Sequence, residues 1–257
     1  MDRKQLGLKL SEQAGKILLE YFRKEYVVKE KGKRDLVLEA DLKSDEFITN
    51  SIKKEFPDDA IIAEESGGKP GNSCYKWIID PLDGTVNFRF GIPHFNVSIG
   101  IEKEKKMLFA FVFNPMTNEL FSAEKGKGAF LNGKKINVSS ESNLEKFLIA
   151  YAASNHKDSE MIELCVKSVR GVLSNCRAMR MRGSAMLDFC NLANGSFDGL
   201  IRIESKKWES PTGILLVEEA GGTVTDFEGN QPDAETKNLL ASNGKNHAGL
   251  VKIMNSQ

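Results

Sequence analysis

The apolar run Trp77-Ile78-Ile79 ends directly in Asp80-Pro81-Leu82-Asp83-Gly84-Thr85-Val86-Asn87-Phe88, and nothing else in the 257-residue chain constrains the fold as tightly. A short run of aromatic and β-branched residues reads as a buried strand. The strand then carries Asp80 to its mouth. Proline fixes φ and removes an amide donor, so a Pro81-Leu82 turn is expected to bring Asp83 back to the side of Asp80. Two carboxylates held close repel each other unless a cation lies between them. Hard divalent cations prefer oxygen ligands, which points to Mg²⁺. An isolated Asp-x-x-Asp is more often a solvated acidic turn; the passage from strand through proline to Asp-Gly-Thr is what favours chemistry.

Other segments supply matching acids. Glu64-Glu65 ends the apolar run Ile61–Ala63, and Asp41 ends an extended stretch that begins at Asp35. Glu209 precedes Ser210-Pro211, a helix start with serine as N-cap and proline in the first turn. Glu209 could equally be an anion that favours a helix N-terminus.

The hydrophobic period places these segments. Leu6, Leu10, Ala14, Ile17, Leu18 and Tyr21 form one helical stripe. Lys29 to Arg34 reads as a charged loop, and Asp45 to Phe56 as a second helix that stops before Pro57. Phe95, Val97, Ile99 and Ile101 alternate as in a strand with one buried face. Met107–Phe113 and Glu119–Ala123 read as further strands, and Asn132-Gly133 as a hairpin turn. After about residue 145 helices and strands alternate: a helical face from Met161 to Val172, a helix over Ser184–Ala193, another from Ser210 to Ala220 closed by Gly221-Gly222, and strands at Thr223–Phe227 and Leu239–Ser242. The expectation is an α+β half over 1–145 with an antiparallel sheet and most of the metal ligands. An α/β half over 146–257 completes the site, and the two pack as one unit.

Composition excludes several classes. Lys+Arg and Asp+Glu are both 36, so the formal charge is zero, against a protein that coats nucleic acid or an anionic membrane. No run approaches the roughly 18 apolar residues of a membrane span, and Met1-Asp2-Arg3-Lys4 leads into an amphipathic pattern with no apolar leader. A cytoplasmic location is expected. Cys74, Cys165, Cys176 and Cys190 contain no Cys-x-x-Cys pair and read as buried or half-buried free thiols. His94, His156 and His247 are scattered and read as structural or surface residues.

With these residues in view, the chain resembles the inositol monophosphatase family of Mg²⁺-dependent, lithium-sensitive phosphatases, within a superfamily that includes fructose-1,6-bisphosphatase. Trp77 to Phe88 carries most of the resemblance. It extends through Asp35–Asp41, Glu64-Glu65-Ser66, Gly126-Lys127-Gly128-Ala129-Phe130, Asn132-Gly133, Gly183-Ser184-Ala185 and Glu218-Glu219-Ala220-Gly221-Gly222. The resemblance implies a layered α-β-α-β-α sandwich, a homodimer, and a small phosphate ester as substrate. It implies that Glu64, Asp80 and the Leu82 carbonyl hold one Mg²⁺, and that Asp80, Asp83 and Glu209 hold a second. A third, weaker ion would lean on Glu64 and water. Asp41 and Thr85 would orient or deprotonate the attacking water, with Glu64 as a further catalytic group. The amides of Gly84 and Thr85 would bind phosphate, and Asp83, Gly183, Ser184, Ala185 and Glu209 would line the substrate site.

Two positions depart from the pattern. Trp208-Glu209 replaces the family's Trp-Asp, which extends the carboxylate by about 1.5 Å and implies a weaker or altered second metal site. Arg202 lies seven residues before Glu209, where inositol-selective members carry an acid. Arginine only donates, so it suits a second anionic group, as in fructose 1,6-bisphosphate or 3′-phosphoadenosine 5′-phosphate. The alternative is a surface arginine paired with Glu204 or Asp198. Lys206 and Lys207 could add positive charge, or form a solvated loop. Three readings stand: an inositol or sugar monophosphatase, a bisphosphate phosphatase, and a non-catalytic member motivated by Glu209 alone. Against the last, Asp41, Glu64, Asp80, Asp83 and Thr85 are all present.

Overall fold

The structure is a computed structural model that describes every residue except 26, 31–35, 154–157, 206–209, 234 and 256–257. In chain order the elements are α1 (Arg3–Tyr21), β1 (Val28–Glu30), β2 (Leu36–Leu38), α2 (Glu39–Glu55), β3 (Ala60–Ala63), β4 (Gly67–Lys69), β5 (Tyr75–Asp83) and α3 (Thr85–Arg89). Then come β6 (Asn96–Lys103), β7 (Lys106–Asn114), β8 (Glu119–Glu124), β9 (Gly128–Leu131), β10 (Lys134–Ile136), β11 (Leu148–Ala153), α4 (Ser159–Asn175) and β12 (Ala178–Arg180). The chain closes with α5 (Ala185–Ala193), β13 (Gly199–Ile203), α6 (Ser210–Glu219), β14 (Thr223–Thr225), β15 (Leu239–Ser242) and α7 (His247–Asn255).

Among the described residues two large sheets, besides the small β1–β2 pair, alternate with three helical layers. The larger sheet runs β10-β9-β8-β7-β6-β5-β3-β4 and is antiparallel except for the β3–β5 pair. The smaller runs β12-β11-β13-β15-β14, with parallel pairs at β11–β12 and β11–β13. On the outside of the larger sheet, Leu6, Leu10, Ala14 and Leu18 of α1 and Ile48 and Ile52 of α2 bury against Val97, Ile99, Ile101 and Phe111. Asp2 and Gln5 form a capping box that starts α1. In the middle layer, α5 and α6 bury Leu187, Phe189, Leu215 and Leu216 against Ala110 and Val112 of one sheet and Ala150, Leu200 and Ala241 of the other. On the far face, Val172 of α4 and Leu250 and Ile253 of α7 cover Ile149, Tyr151, Ile201 and Ile203. This is the layered α-β-α-β-α sandwich.

Several local expectations need correction. The second helix begins at Glu39, six residues before Asp45, so Asp41 lies in its first turn rather than at the end of an extended stretch. Lys29 and Glu30 belong to β1, which pairs antiparallel with β2, so the charged segment is not all loop. The strand through Val97, Ile99 and Ile101 is buried on both faces, because α5 and α6 cover the side that carries Asn96, Ser98 and Gly100. Cys74 is exposed rather than buried, and the four thiols are free. The Asn132-Gly133 turn is as read: both residues have positive φ and join β9 to β10, as a type I′ hairpin requires.

Candidate active site

The site grows from the one parallel pair in the larger sheet. Ala63 of β3 lies beside Ile79 of β5, and the Glu64 amide donates to the Ile79 carbonyl at 3.3 Å. Neighbouring strands lie about 4.8 Å apart, so Glu64 and Asp80, each one residue past the last parallel pair Ala63–Ile79, stand side by side. Ligands commonly bind at the carboxyl ends of parallel strands.

Pro81 and Leu82 do not make the expected turn. β5 continues to Asp83 through a β-bulge: Asp80 faces Ser98 and Asp83 faces Asn96, so two residues of β5 oppose Val97 alone. A bulge is where a strand tolerates proline, since no ladder donor is needed there. The consequence is geometric. Residues three apart would normally face opposite sides of a strand, but the extra residue restores alternation. Asp80 and Asp83 therefore share the face of Ser98 and Asn96. Leu82 buries its side chain in the α1–α2 core and donates its amide to Asp80 Oδ1 at 3.1 Å. The Leu82 carbonyl accepts the Thr85 hydroxyl at 3.0 Å.

Asp83 Oδ2 accepts three bonds: from Ser184 Oγ at 2.5 Å, Asn96 Nδ2 at 2.7 Å and the Met186 amide at 3.0 Å. Gly84 follows with φ +91°, a left-handed conformation in which a Cβ would lie 2.9 Å from the His94 carbonyl. Glycine meets both demands, and it caps α3, so Thr85 opens that helix with amides that lack helical partners. Asp41 is 2% exposed, and its Oδ2 accepts the Leu38 amide at 3.3 Å. One turn on, Ser44 donates to the Pro81 carbonyl at 3.0 Å and ties α2 to the bulge.

Gly183, Ser184 and Ala185 come from the other side. Ser184 caps α5, and its bond to Asp83 joins the middle layer to the larger sheet. Gly183, with φ +77°, leaves room for the Asn87 side chain, whose amide donates to the carbonyls of His94 at 2.8 Å and Arg182 at 2.7 Å. Arg202 is 4% exposed, which corrects the reading of a surface residue. Strand alternation turns it to the same side as Leu200, toward α5 and α6, and its Nη1 donates to the Ile203 carbonyl at 2.8 Å. Trp208 and Glu209 lie outside the described residues, as do Lys206, Lys207, His156, Asp35 and Lys31 to Arg34.

Sequence reasoning missed Asp188, Arg182, Asn87 and Asn96. Asp188 is wholly buried on α5, and its Oδ1 accepts Arg182 Nε at 3.1 Å and Nη2 at 2.8 Å. Burial drives its carboxyl up to about 7; Arg182 opposes this, the negative charge of Asp83 adds to it, and Arg202 opposes it. Burial also lowers His94 to about 4, helped by Arg182. The available signal was polar residues inside apolar runs: Asn96 between Phe95 and Val97, and Asp188 between Leu187 and Phe189.

The donors suit a hard cation: carboxylates, a backbone carbonyl and a hydroxyl, with no sulfur or imidazole among them. Among the described residues no three Asp, Glu, His or Cys side chains form a ready-made metal cage. Mg²⁺ needs none, because it retains several waters and takes one or two carboxylates plus substrate oxygens. The residues present therefore fit Mg²⁺.

Comparison with known proteins bears on the family and the fold. The sequence profile of the inositol monophosphatase family matches residues 4–257. The chain is 38% identical over 255 residues to inositol monophosphatase 3 of Solanum lycopersicum, covering 97% of this chain and 95% of that one. It is 34% identical over 256 residues to the fructose-1,6-bisphosphatase/inositol-1-monophosphatase of Thermotoga maritima, covering 99% and 96%. Its fold superposes on the extragenic suppressor protein suhB of Bartonella henselae with a TM-score of 0.93 at 34% identity, covering 98% and 97%. From the first turn of α1 to its last residues, the chain belongs to the inositol monophosphatase family.

Proposed function

We propose that this chain is a Mg²⁺-dependent phosphatase that hydrolyses a phosphate monoester of inositol or a sugar with a metal-activated water. The observation that carries the reading is the β5 bulge, which sets Asp80 and Asp83 on one face beside Glu64. Glu64, Asp80 and the Leu82 carbonyl would hold one Mg²⁺; Asp80, Asp83 and Glu209 would hold a second, and Glu64 a third. Bound Mg²⁺ supplies charge neutralisation for a dianionic ester and lowers the pKa of coordinated water. Asp41 accepts the proton of the attacking water, with Glu64 assisting, and the Thr85 hydroxyl orients that water. The Gly84 and Thr85 amides donate to phosphate oxygens, as helix starts do. Gly183, Ser184 and Ala185, with Asp83 and Glu209, close the substrate side. Most metal-holding groups thus come from residues 1–145, and residues 146–257 complete the site. Little covalent work falls to the protein, so carboxylates, a hydroxyl and amides suffice.

A second reading is favoured by Arg202. A buried guanidinium on β13, the strand that precedes the 206–209 segment in sequence, suits a second anionic group on the substrate. That would make the enzyme a bisphosphate phosphatase, one of the two activities named for the Thermotoga maritima relative. We further read the protein as a cytoplasmic homodimer with no nucleic-acid or membrane partner. Among the described residues no helix is long and apolar enough to cross a membrane. Phosphate release from inositol 1-phosphate, fructose 1,6-bisphosphate and 3′-phosphoadenosine 5′-phosphate, with and without Mg²⁺, tests the reading and separates its two forms.

A further inference from the structure

Asn96 is an unusual residue for its place. It begins β6, between Phe95 and Val97, and is 0% exposed. A buried amide is costly unless bonded, and packing alone would favour an apolar residue. Its Nδ2 donates to Asp83 Oδ2 at 2.7 Å and to Ser184 Oγ at 3.0 Å, while Ser184 Oγ donates to the same Asp83 oxygen at 2.5 Å. Three side chains from β5, β6 and the cap of α5 thus close a ring. Among the described residues, buried Asn96 Oδ1 has no hydrogen-bond partner. A polar group kept at that cost calls for a role other than packing.

The ring and the Met186 amide fix the Asp83 carboxylate in rotation, because three donors converge on Oδ2. It also fixes Ser184, and with it the Gly183–Ala185 start of α5. We propose that Asn96 is a positioning residue that couples cation binding at Asp83 to the substrate-facing start of α5, an inference that rests on the phosphatase reading for its ligands. Charge drawn toward a cation on Asp83 alters the bonds Oδ2 accepts from Asn96 and Ser184, and through them the set of the α5 cap. Coupling of this kind is reciprocal: the cation tightens ester binding by the factor with which the ester tightens cation binding.

The test uses the whole chain. Mg²⁺ alone is titrated calorimetrically into metal-free wild type, Asn96→Leu, Asn96→Ser and Ser184→Ala. KM for inositol 1-phosphate is then measured across Mg²⁺ concentrations. Asn96→Leu removes both donors at similar volume. The expected result is a fall in Mg²⁺ affinity of about 10- to 100-fold, the usual range for partners of metal ligands, and a KM that no longer falls as Mg²⁺ rises. Asn96→Ser keeps one shorter donor, and its Mg²⁺ affinity should fall between the two. Ser184→Ala should lose the KM dependence and add nothing to that loss in the Asn96→Leu background. Mg²⁺ affinity within twofold of wild type in folded Asn96→Leu would overturn the proposal; if that variant does not fold, an unchanged Asn96→Ser overturns it. Wild type that binds Mg²⁺ in an Asn96-dependent way but releases no phosphate from inositol 1-phosphate, fructose 1,6-bisphosphate or 3′-phosphoadenosine 5′-phosphate would sink the phosphatase reading and leave the positioning of Asp83 by Asn96 standing. Wild type that does not bind Mg²⁺ would sink both.

Discussion

The two sides of the site are built on different principles. On the larger sheet, acids at the carboxyl ends of a parallel pair are placed by local sequence: Glu64 follows β3, and Asp80 and Asp83 bracket a bulge made by Pro81 and Leu82. Near the smaller sheet, positive charge is placed by tertiary packing. Arg202 sits mid-layer on β13, and Arg182 and Asp188 pair across the start of α5. Local placement leaves a readable signature; placement by packing leaves an ordinary arginine or aspartate in the sequence. The side proposed for the metal is lined by carboxylates, and the side proposed to lie behind the substrate carries two arginines.

The largest effect should come from the anionic side. Asp80→Asn keeps the shape and removes a charge shared by two of the three proposed metal positions. Phosphate release should fall by at least about 10³-fold, since the charge stabilisation supplied there is several kcal/mol. Steady-state assays at saturating Mg²⁺ check this, and a loss under tenfold would break the comparison. Ser44→Ala tests the tie between α2 and the bulge. It removes one hydrogen bond to the Pro81 carbonyl and should destabilise the fold by about 1 kcal/mol, read as a shift in the urea midpoint.

On the cationic side the expected change is in selectivity rather than rate. Arg202→Met should alter the ratio of kcat/KM for fructose 1,6-bisphosphate over inositol 1-phosphate by about tenfold, toward the monophosphate. An unchanged ratio would reduce Arg202 to a structural cation.

The smallest effects are in pH dependence. Asp188 titrates higher in the folded protein than unfolded, so the native state holds that proton more tightly, and its contribution to stability falls as pH rises from about 4 to about 7. His94 titrates lower when folded, so its contribution is lost as pH falls from 6.5 toward about 4. The slopes oppose each other between those limits. In metal-free protein, His94→Gln should leave stability falling more steeply with rising pH, and Asp188→Asn should do the reverse. Urea melts at three pH values would show it; parallel curves for all three proteins would contradict it.

The sequence was most legible where chemistry and backbone coincide. Trp77 to Phe88 could be read because a strand that ends in acid, proline, acid and glycine has few other uses. Its detail was misread, because proline is as much at home in a bulge as in a turn. Asp41 was misplaced because Leu36–Leu38 is extended and the helix begins one residue later, with no Ser, Thr, Asp or Asn at the cap position to announce it. The polar face of β6 suggested solvent, but Asn96 and Ser98 face the middle layer, and Gly100 leaves space into which Thr212 of α6 projects. Alternation reports which residues differ in polarity, and only the fold says whether the polar side meets water or a buried site.

The most direct test of the account is phosphate release from inositol 1-phosphate by purified wild type and Asp80→Asn, each with and without Mg²⁺. The account predicts release from wild type only when Mg²⁺ is present, and nearly none from Asp80→Asn under either condition. Equal release from the two proteins, or release indifferent to Mg²⁺, would contradict the claim that the β5 bulge builds a metal-dependent phosphatase site.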